Sequence, residues 1–222
     1  MKSLFYDRNE LPAVLQKLDE KGYALVYDYE KHRFDLTHGA TGTEAFLRLP
    51  ITMGCEGSVL MTGAEITYIM VLVQSGSASI GVFQGEHCLE HKVFGSYMVR
   101  KKQGKSQIKH LKTKGKSRAG SRVRLASTLE FFENINTRLQ THFNQYEFER
   151  IAMSCSKILI PYLFNSKVAT PFDKRDERIY RIPKHLHQPN FEVMLGMQRY
   201  LNKAELVFEA SNNPELITLD GC

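Results

Sequence analysis

The stretch ITYIMVLVQSGSASIGVFQGEHCLEHKVF, residues 66–94, is the part of the chain from which the rest is read. It contains three strand-like runs, Ile66–Val73, Ser77–Phe83 and His87–Phe94. Gln74-Ser75-Gly76 and Gln84-Gly85-Glu86 separate them, and connections this short make hairpins. The runs therefore predict a three-stranded antiparallel meander.

Downstream, a basic loop covers roughly Gly95 to Gly120. Leu125, Leu129, Phe132, Ile135, Leu139 and Phe143 then step by three or four, which predicts a long helix over about Ser121–Tyr146 with one apolar face. Lys157–Leu163 is a nearly continuous apolar run, as expected of a central strand. An irregular charged stretch with Pro171, Pro183 and Pro189 follows. A second helix carries Val193, Met194, Met197, Tyr200 and Leu201, and Ala204–Phe208 reads as the last strand.

Upstream, Leu11, Val14, Leu15 and Leu18 fall on one helical face, with Pro12 in the first turn and Gly22 at the stop. Tyr23–Tyr29 reads as a strand and Thr37–Gly42 as a turn. Leu47–Met53 reads as a short edge strand broken by Pro50. The order from Glu65 is βββ–loop–α–β–α–β, and the crossovers add strands in parallel beside the meander. That is an α/β (α+β mixed-sheet) fold of RNase H-like type. Residues 1–63 are expected to pack on this core as an extension, and 64–222 to form the functional domain with its basic loop at about 95–120.

Of the 222 residues, 42% are hydrophobic and 24% charged, an ordinary globular composition. No apolar run approaches the ~18 residues of a membrane span, so no membrane partner is expected. The first residues lack the apolar core of a secretion signal, and the four scattered cysteines form no Cys-x-x-Cys pair. A cytoplasmic location is the expectation.

The charge is unevenly distributed. Between Glu90 and Glu130 there are twelve lysines and arginines and no acidic residue. Without those twelve, eighteen basic groups face twenty-four acidic ones, so the formal +6 of the chain becomes −6. A mildly acidic body with its positive charge gathered in one loop points to a polyanionic partner, which the loop enters by counterion release. The stretch is too poor in apolar residues to fold alone, so it is expected to order only in its target.

Within it lies Gly104-Lys105-Ser106-Gln107. A primary amide is neutral at every relevant pH and offers both donors and an acceptor. Among phosphates, where a carboxylate is repelled, Gln107 can orient a water or a ribose hydroxyl against an ester or a phosphodiester. Good positioning contributes several kcal/mol to such a barrier, up to ~7–11 in ideal geometry.

The segment Arg100–Gln107, after a meander and before a long helix, resembles the catalytic loop of the Vms-type release factors. These are relatives of the eukaryotic and archaeal peptide-chain release factors that act in ribosome quality control. Asp176–Pro183 is similar to the family's Arg-x-x-x-Ile-Pro stretch, and the resemblance covers about Glu65 to Phe208. It implies that the loop enters the peptidyl transferase centre of the large ribosomal subunit. There it frees a nascent chain by peptidyl-tRNA hydrolysis or by cutting the tRNA 3′ end. Gln107 then matches the essential glutamine and Gly104 the glycine before it, with Ser106 shaping the tip. Arg100, Lys101, Lys102, Lys105, Lys109, Lys112, Lys114, Lys116 and Arg118 are assigned to RNA phosphates. The partners are the large subunit, its rRNA and peptidyl-tRNA, with no DNA, no cofactor and no metal expected. Release factors proper carry Gly-Gly-Gln, so Gly-Lys-Ser-Gln argues against codon-dependent termination. The length suggests a compact stand-alone form, as in bacterial relatives.

Plainer readings stand beside these. The loop can be a non-catalytic RNA anchor. His110, three residues after Gln107, is a candidate proton carrier or simply a phosphate contact. His87 and His91 read as strand surface, and His185 and His187 lack companion ligands for a metal. Two-metal nuclease chemistry needs carboxylates clustered on the strands, and this sequence supplies too few.

Overall fold

In a computed structural model the described residues are 1–38, 41–56, 59–61, 65–96, 116–209 and 216, with backbone only for 41–44, 56, 59 and 116–124. The chain divides into two units. One comprises 1–67, 84–87 and 195–222, and the other comprises 68–83 and 88–194.

The first unit is built on β1 (Lys2–Tyr6), α1 (Leu11–Glu20), β2 (Ala24–Asp28), β3 (Arg33–His38) and β4 (Thr41–Arg48), followed by the small hairpin β5 (Gly54–Glu56) and β6 (Val59–Met61). The α1 stripe is as read from the sequence. Leu11, Val14 and Leu18 are buried against Phe34, Leu36, Leu47, Leu206 and Phe208, with Leu15 partly buried. Gly22 ends the helix in the left-handed region at φ 78°, where a side chain would be strained.

The meander is present as β7 (Thr67–Gln74), β8 (Ser77–Gln84) and β9 (His87–Gly95), with Gly76 and Gly85 at positive φ in its two turns. Then come α2 (Lys116–Gln145), β10 (Arg150–Cys155), α3 (Ile160–Phe164), β11 (Ile179–Arg181), α4 (Phe191–Leu201) and β12 (Ala204–Phe208). The sheet of the second unit has the order β11-β10-β7-β8-β9. β10 lies parallel to β7 and β11 parallel to β10, so two strands are added in parallel beside the meander, but the second is β11, in the stretch read as irregular, and not Ala204–Phe208. Tyr68 to Val73 are buried throughout, which explains why β7 reads as an unbroken apolar run. On one face, Ile69, Val71, Val73, Ala78, Ile80 and Val82 share a core with Phe131, Phe132, Ile135 and Leu139 of α2.

Five expectations need correction. The strand expected at Lys157–Leu163 lies earlier, at β10, and residues 160–164 are helical. Pro161 sits in the first turn of α3, where its missing N–H costs nothing; inside a central strand it would break the ladder. The last strand, β12, does not join the meander. It pairs antiparallel with β1 and β4 in a sheet of order β1-β12-β4-β3-β2. Of the segment read as an edge strand at Leu47–Met53, only Leu47 and Arg48 are strand; they end β4, which lies inside its sheet, and residues 49–53 are outside any strand. The long helix begins at Lys116 rather than Ser121, running through Gly120, because an interior glycine costs only about 1 kcal/mol. Leu125 and Leu129, expected in the core stripe, are exposed.

Within the first unit, Arg48 on β4 lies opposite Glu205 on β12 and is only 2% exposed. Its Nε donates to Glu205 Oε2 at 3.3 Å and its Nη2 to the Tyr200 carbonyl at 3.2 Å. The guanidinium lies 4.4 Å above the Tyr200 ring, and the Tyr200 hydroxyl donates to the same carboxylate at 2.6 Å. Removing one partner of a buried pair leaves the other charge uncompensated. Arg48→Ala should therefore destabilise the fold by about 3 kcal/mol in urea unfolding.

Candidate functional site

β7, β9, β10 and β11 run in the same direction, so Gln74, Gly95, Cys155 and Arg181 end on one edge of the sheet. The basic loop leaves from this edge. Its point of departure is held on two sides: the Ser96 N–H donates to the Gly76 carbonyl at 2.9 Å, and the Ser96 hydroxyl donates to the Ser127 carbonyl of α2 at 3.0 Å. A cavity of about 430 Å³ at this root is lined by Val93, Phe94, Ser96, Glu130, Phe131 and Asn134, among others.

Glu90 on β9 ties α2 to the sheet lower down. It accepts from Arg138 Nη2 at 2.8 Å and from the Tyr146 hydroxyl at 2.9 Å. Its hydrogen bond with Tyr146 pushes the phenol upward, so Tyr146 stays a donor at neutral pH. His142, fully buried beside this pair, is pushed below the ordinary histidine range by burial and then by Arg138. Asn136 fastens the following segment, its amide donating to the Leu163 and Val168 carbonyls at 2.8 and 2.7 Å. With 30 residues, α2 is about 45 Å long at ~1.5 Å per residue. Its described core contacts begin at Phe131, more than ten residues after its start.

The catalytic candidates Gln107, Gly104 and Ser106 lie outside the described residues. So do Arg100, Lys101, Lys102, Lys105, Lys109, Lys112 and Lys114, and so does His110. Lys116 and Arg118 lie in the first turns of α2, where the backbone alone is described. Of the other histidines, His91 stacks on Phe191 with ring centroids 3.9 Å apart, a packing role. His185 and His187 meet edge to face at 5.0 Å.

The motif Asp176–Pro183 is a structural clamp. Arg178 donates to both carboxylate oxygens of Asp176, Nε at 2.9 Å and Nη2 at 2.6 Å, and to the Phe148 carbonyl at 3.3 Å. The Ile182 N–H then continues the ladder onto the Met153 carbonyl at 3.0 Å. Hydrogen bonding from Arg178 holds the Asp176 carboxyl below its ordinary value of 3.8. Because its folded pKa is depressed, its stabilisation is present above the unfolded value and fades as pH falls through the folded one. Asp176→Asn should lower the melting temperature at pH 7, and the difference should shrink as the pH falls below 3.8 and close once it has passed the depressed folded pKa.

One feature of this edge was not legible in the sequence. Lys157, Arg181, Lys184 and His185 line a cavity of about 570 Å³ together with Gln74 and Cys155. The cations come from separate segments, and only the parallel pairing of β11 with β10 and of β10 with β7 brings them together. Burial pushes the Cys155 thiol up to about 12, so it stays protonated and is no nucleophile.

Among the described residues no helix is long and apolar enough to cross a membrane. The solved structure of the Vms1 mitochondrial localization core is similar to this chain at 13% identity and a TM-score of 0.40, over 91% of this chain and 83% of that one. No curated protein matches the chain. The sequence profile of the family described as Bacteroidetes VLRF1 release factor matches residues 68–208, from the first core strand to the last strand. With more than half of its length matched, the chain belongs to that family of release factors, and the membership suggests ribosome-associated release activity.

Proposed function

We propose that this protein frees nascent polypeptides from peptidyl-tRNA on stalled large ribosomal subunits in the cytoplasm, with Gln107 at the tip of its reaching loop. One conjunction carries the reading. A release-factor family member holds Gly104-Lys105-Ser106-Gln107 inside a segment with twelve basic residues and no acidic one. The order β9-β8-β7-β10-β11 supports an RNase H-like catalytic unit, to which residues 1–63 are an extension. Ser96 and α2 supply a firm base, so a long loop can extend without carrying the rest of the fold with it.

In the hydrolytic form, the Gln107 amide orients a water toward the peptidyl ester carbonyl. The water oxygen bonds to that carbon, the bond to the ribose oxygen breaks, and a water proton passes to the departing ribose oxygen, which leaves as a hydroxyl. In the scission form, the amide aligns a ribose 2′-hydroxyl with the neighbouring phosphorus, leaving a cyclic phosphate and a 5′-hydroxyl. Arg100, Lys101, Lys102, Lys105 and Lys109 hold phosphates in both, with Lys112, Lys114, Lys116 and Arg118 nearer the root. Gly104 and Ser106 shape the tip. No step requires a cofactor.

The test is release from purified large subunits carrying a stalled peptidyl-tRNA, followed by mapping of the tRNA 3′ end. An intact CCA end indicates ester hydrolysis and a shortened one indicates scission; no release above buffer overturns the proposal. A second reading, an RNA-binding factor anchored by the loop, draws support from the departure of Gly-Lys-Ser-Gln from Gly-Gly-Gln. It predicts that Gln107→Ala changes nothing.

A further inference from the structure

The cavity of about 570 Å³ at the sheet edge gathers Lys157, Arg181, Lys184 and His185 on a wall that also carries Met153, Ile158 and Ile182. Among the described residues no carboxylate lines it. The other polar groups at its wall are the Gln74 amide and the Ser154 and Ser156 hydroxyls, all able to donate. Lys157, Arg181, Lys184 and His185 are exposed, so a ligand can reach them. A cavity of about 810 Å³ in the other unit provides the contrast. It is lined by Asp7 and Glu86 as well as by Arg8, Arg199 and Lys203. Cations that converge on a concavity whose described wall carries no carboxylate concentrate their field there and favour an anionic occupant.

Position identifies the anion. The cavity opens at the carboxyl ends of parallel strands β7, β10 and β11, where ligands of open α/β sheets bind. Gln74 in its wall ends β7, and Gly76, two residues on, accepts the Ser96 N–H at the root of the basic loop. Loop root and cavity are thus joined through one hairpin turn. A polyanion that reaches the loop root at Ser96 comes to this edge, and an arginine beside two lysines fits a phosphodiester.

We propose that this cavity is a second RNA-backbone site, in which Lys157, Arg181 and Lys184 hold a phosphodiester of the RNA that the loop enters. The proposal rests on the release-factor reading and adds a fixed anchor on the body to the reaching arm. The anchor sets the register of the RNA, and the arm supplies the chemistry.

The experiment measures binding of the full chain to a short fluorescein-labelled single-stranded ribo-oligonucleotide across a salt series. Three variants are compared: K157E/R181E/K184E, the charge-preserving K157R/R181K/K184R, and a loop variant with Arg100, Lys101, Lys102, Lys105 and Lys109 changed to alanine. Charge reversal should weaken binding at least tenfold and flatten the log–log salt slope by about two, at roughly 0.7 for each phosphate no longer neutralised. The charge-preserving variant should bind as the wild type does. If reversal leaves affinity and slope unchanged while the loop variant binds weakly with a flat slope, the cavity is no RNA site and the loop reading stands. Equal weakening by reversal and by the charge-preserving change also overturns the cavity proposal. A wild-type chain without salt-dependent RNA affinity removes cavity and loop readings together.

Discussion

Gln107→Ala is expected to lower nascent-chain release by about 10²–10³-fold, the loss typical when one oriented polar group is removed from a reacting centre. Subunit binding should stay within about twofold, because a neutral amide releases no counterion when it docks. The split between rate and affinity is the informative part, since a group that acts only at the transition state lowers the rate and spares the complex. Gln107→Glu should be as slow as alanine and should also bind more weakly, because its carboxylate is repelled by the surrounding phosphates. Single-turnover release with saturating protein reads both variants. Release at the wild-type rate by Gln107→Ala would move the protein to the class of RNA anchors.

Removing charge from the loop should have the opposite profile. With Arg100, Lys101, Lys102, Lys105 and Lys109 all changed to alanine, the slope of log affinity against log salt should flatten by about 0.7–0.9 for each phosphate no longer neutralised, roughly four in all. Near 0.15 M salt this amounts to a drop of about two or more orders of magnitude in subunit affinity. Release should recover at saturating protein, because Gln107 is still present to align the attack. Outside the Glu90–Glu130 interval the chain has a formal charge of −6, so the body offers little general attraction to hold the variant on RNA. Sedimentation with isolated large subunits across a salt series measures the effect.

How far the fold was legible depended on whether local signals sufficed. The meander was readable because each turn carries a glycine that adopts positive φ, Gly76 and Gly85, between runs of strand length. β10 was missed because Lys157–Leu163 is the more apolar run, although Pro161 marked it as unfit for a central strand. β12 was found as a strand and assigned to the wrong sheet. Its partners, β1 and β4, lie more than 150 residues away in sequence, and a strand buried at four of its five positions carries no mark of its neighbours. Leu125 and Leu129 continue the periodicity of the core stripe but lie on the part of α2 that precedes Phe131, the first residue of the helix in the core cluster.

The functional site divides the same way. Charge segregation and the glycine–glutamine tip are linear features, so the loop could be singled out from composition and order alone. The cavity with Lys157, Arg181 and Lys184 is a product of strand pairing, and its residues look like ordinary surface cations one at a time. The Arg178–Asp176 pair has a structural part in the same unit. Within Asp176–Pro183, the stretch that resembles the release-factor Arg-x-x-x-Ile-Pro pattern, it fastens the start of β11 in place.

Everything functional depends on where the loop tip lies when the protein is bound, and a photoreactive residue placed at position 107 reports that directly. On large subunits carrying a stalled peptidyl-tRNA, irradiation should join position 107 to the 3′-terminal nucleotides of the tRNA or to the rRNA around them. Cross-links confined to the protein itself, or to RNA remote from the peptidyl ester, would contradict a tip that aligns the releasing attack.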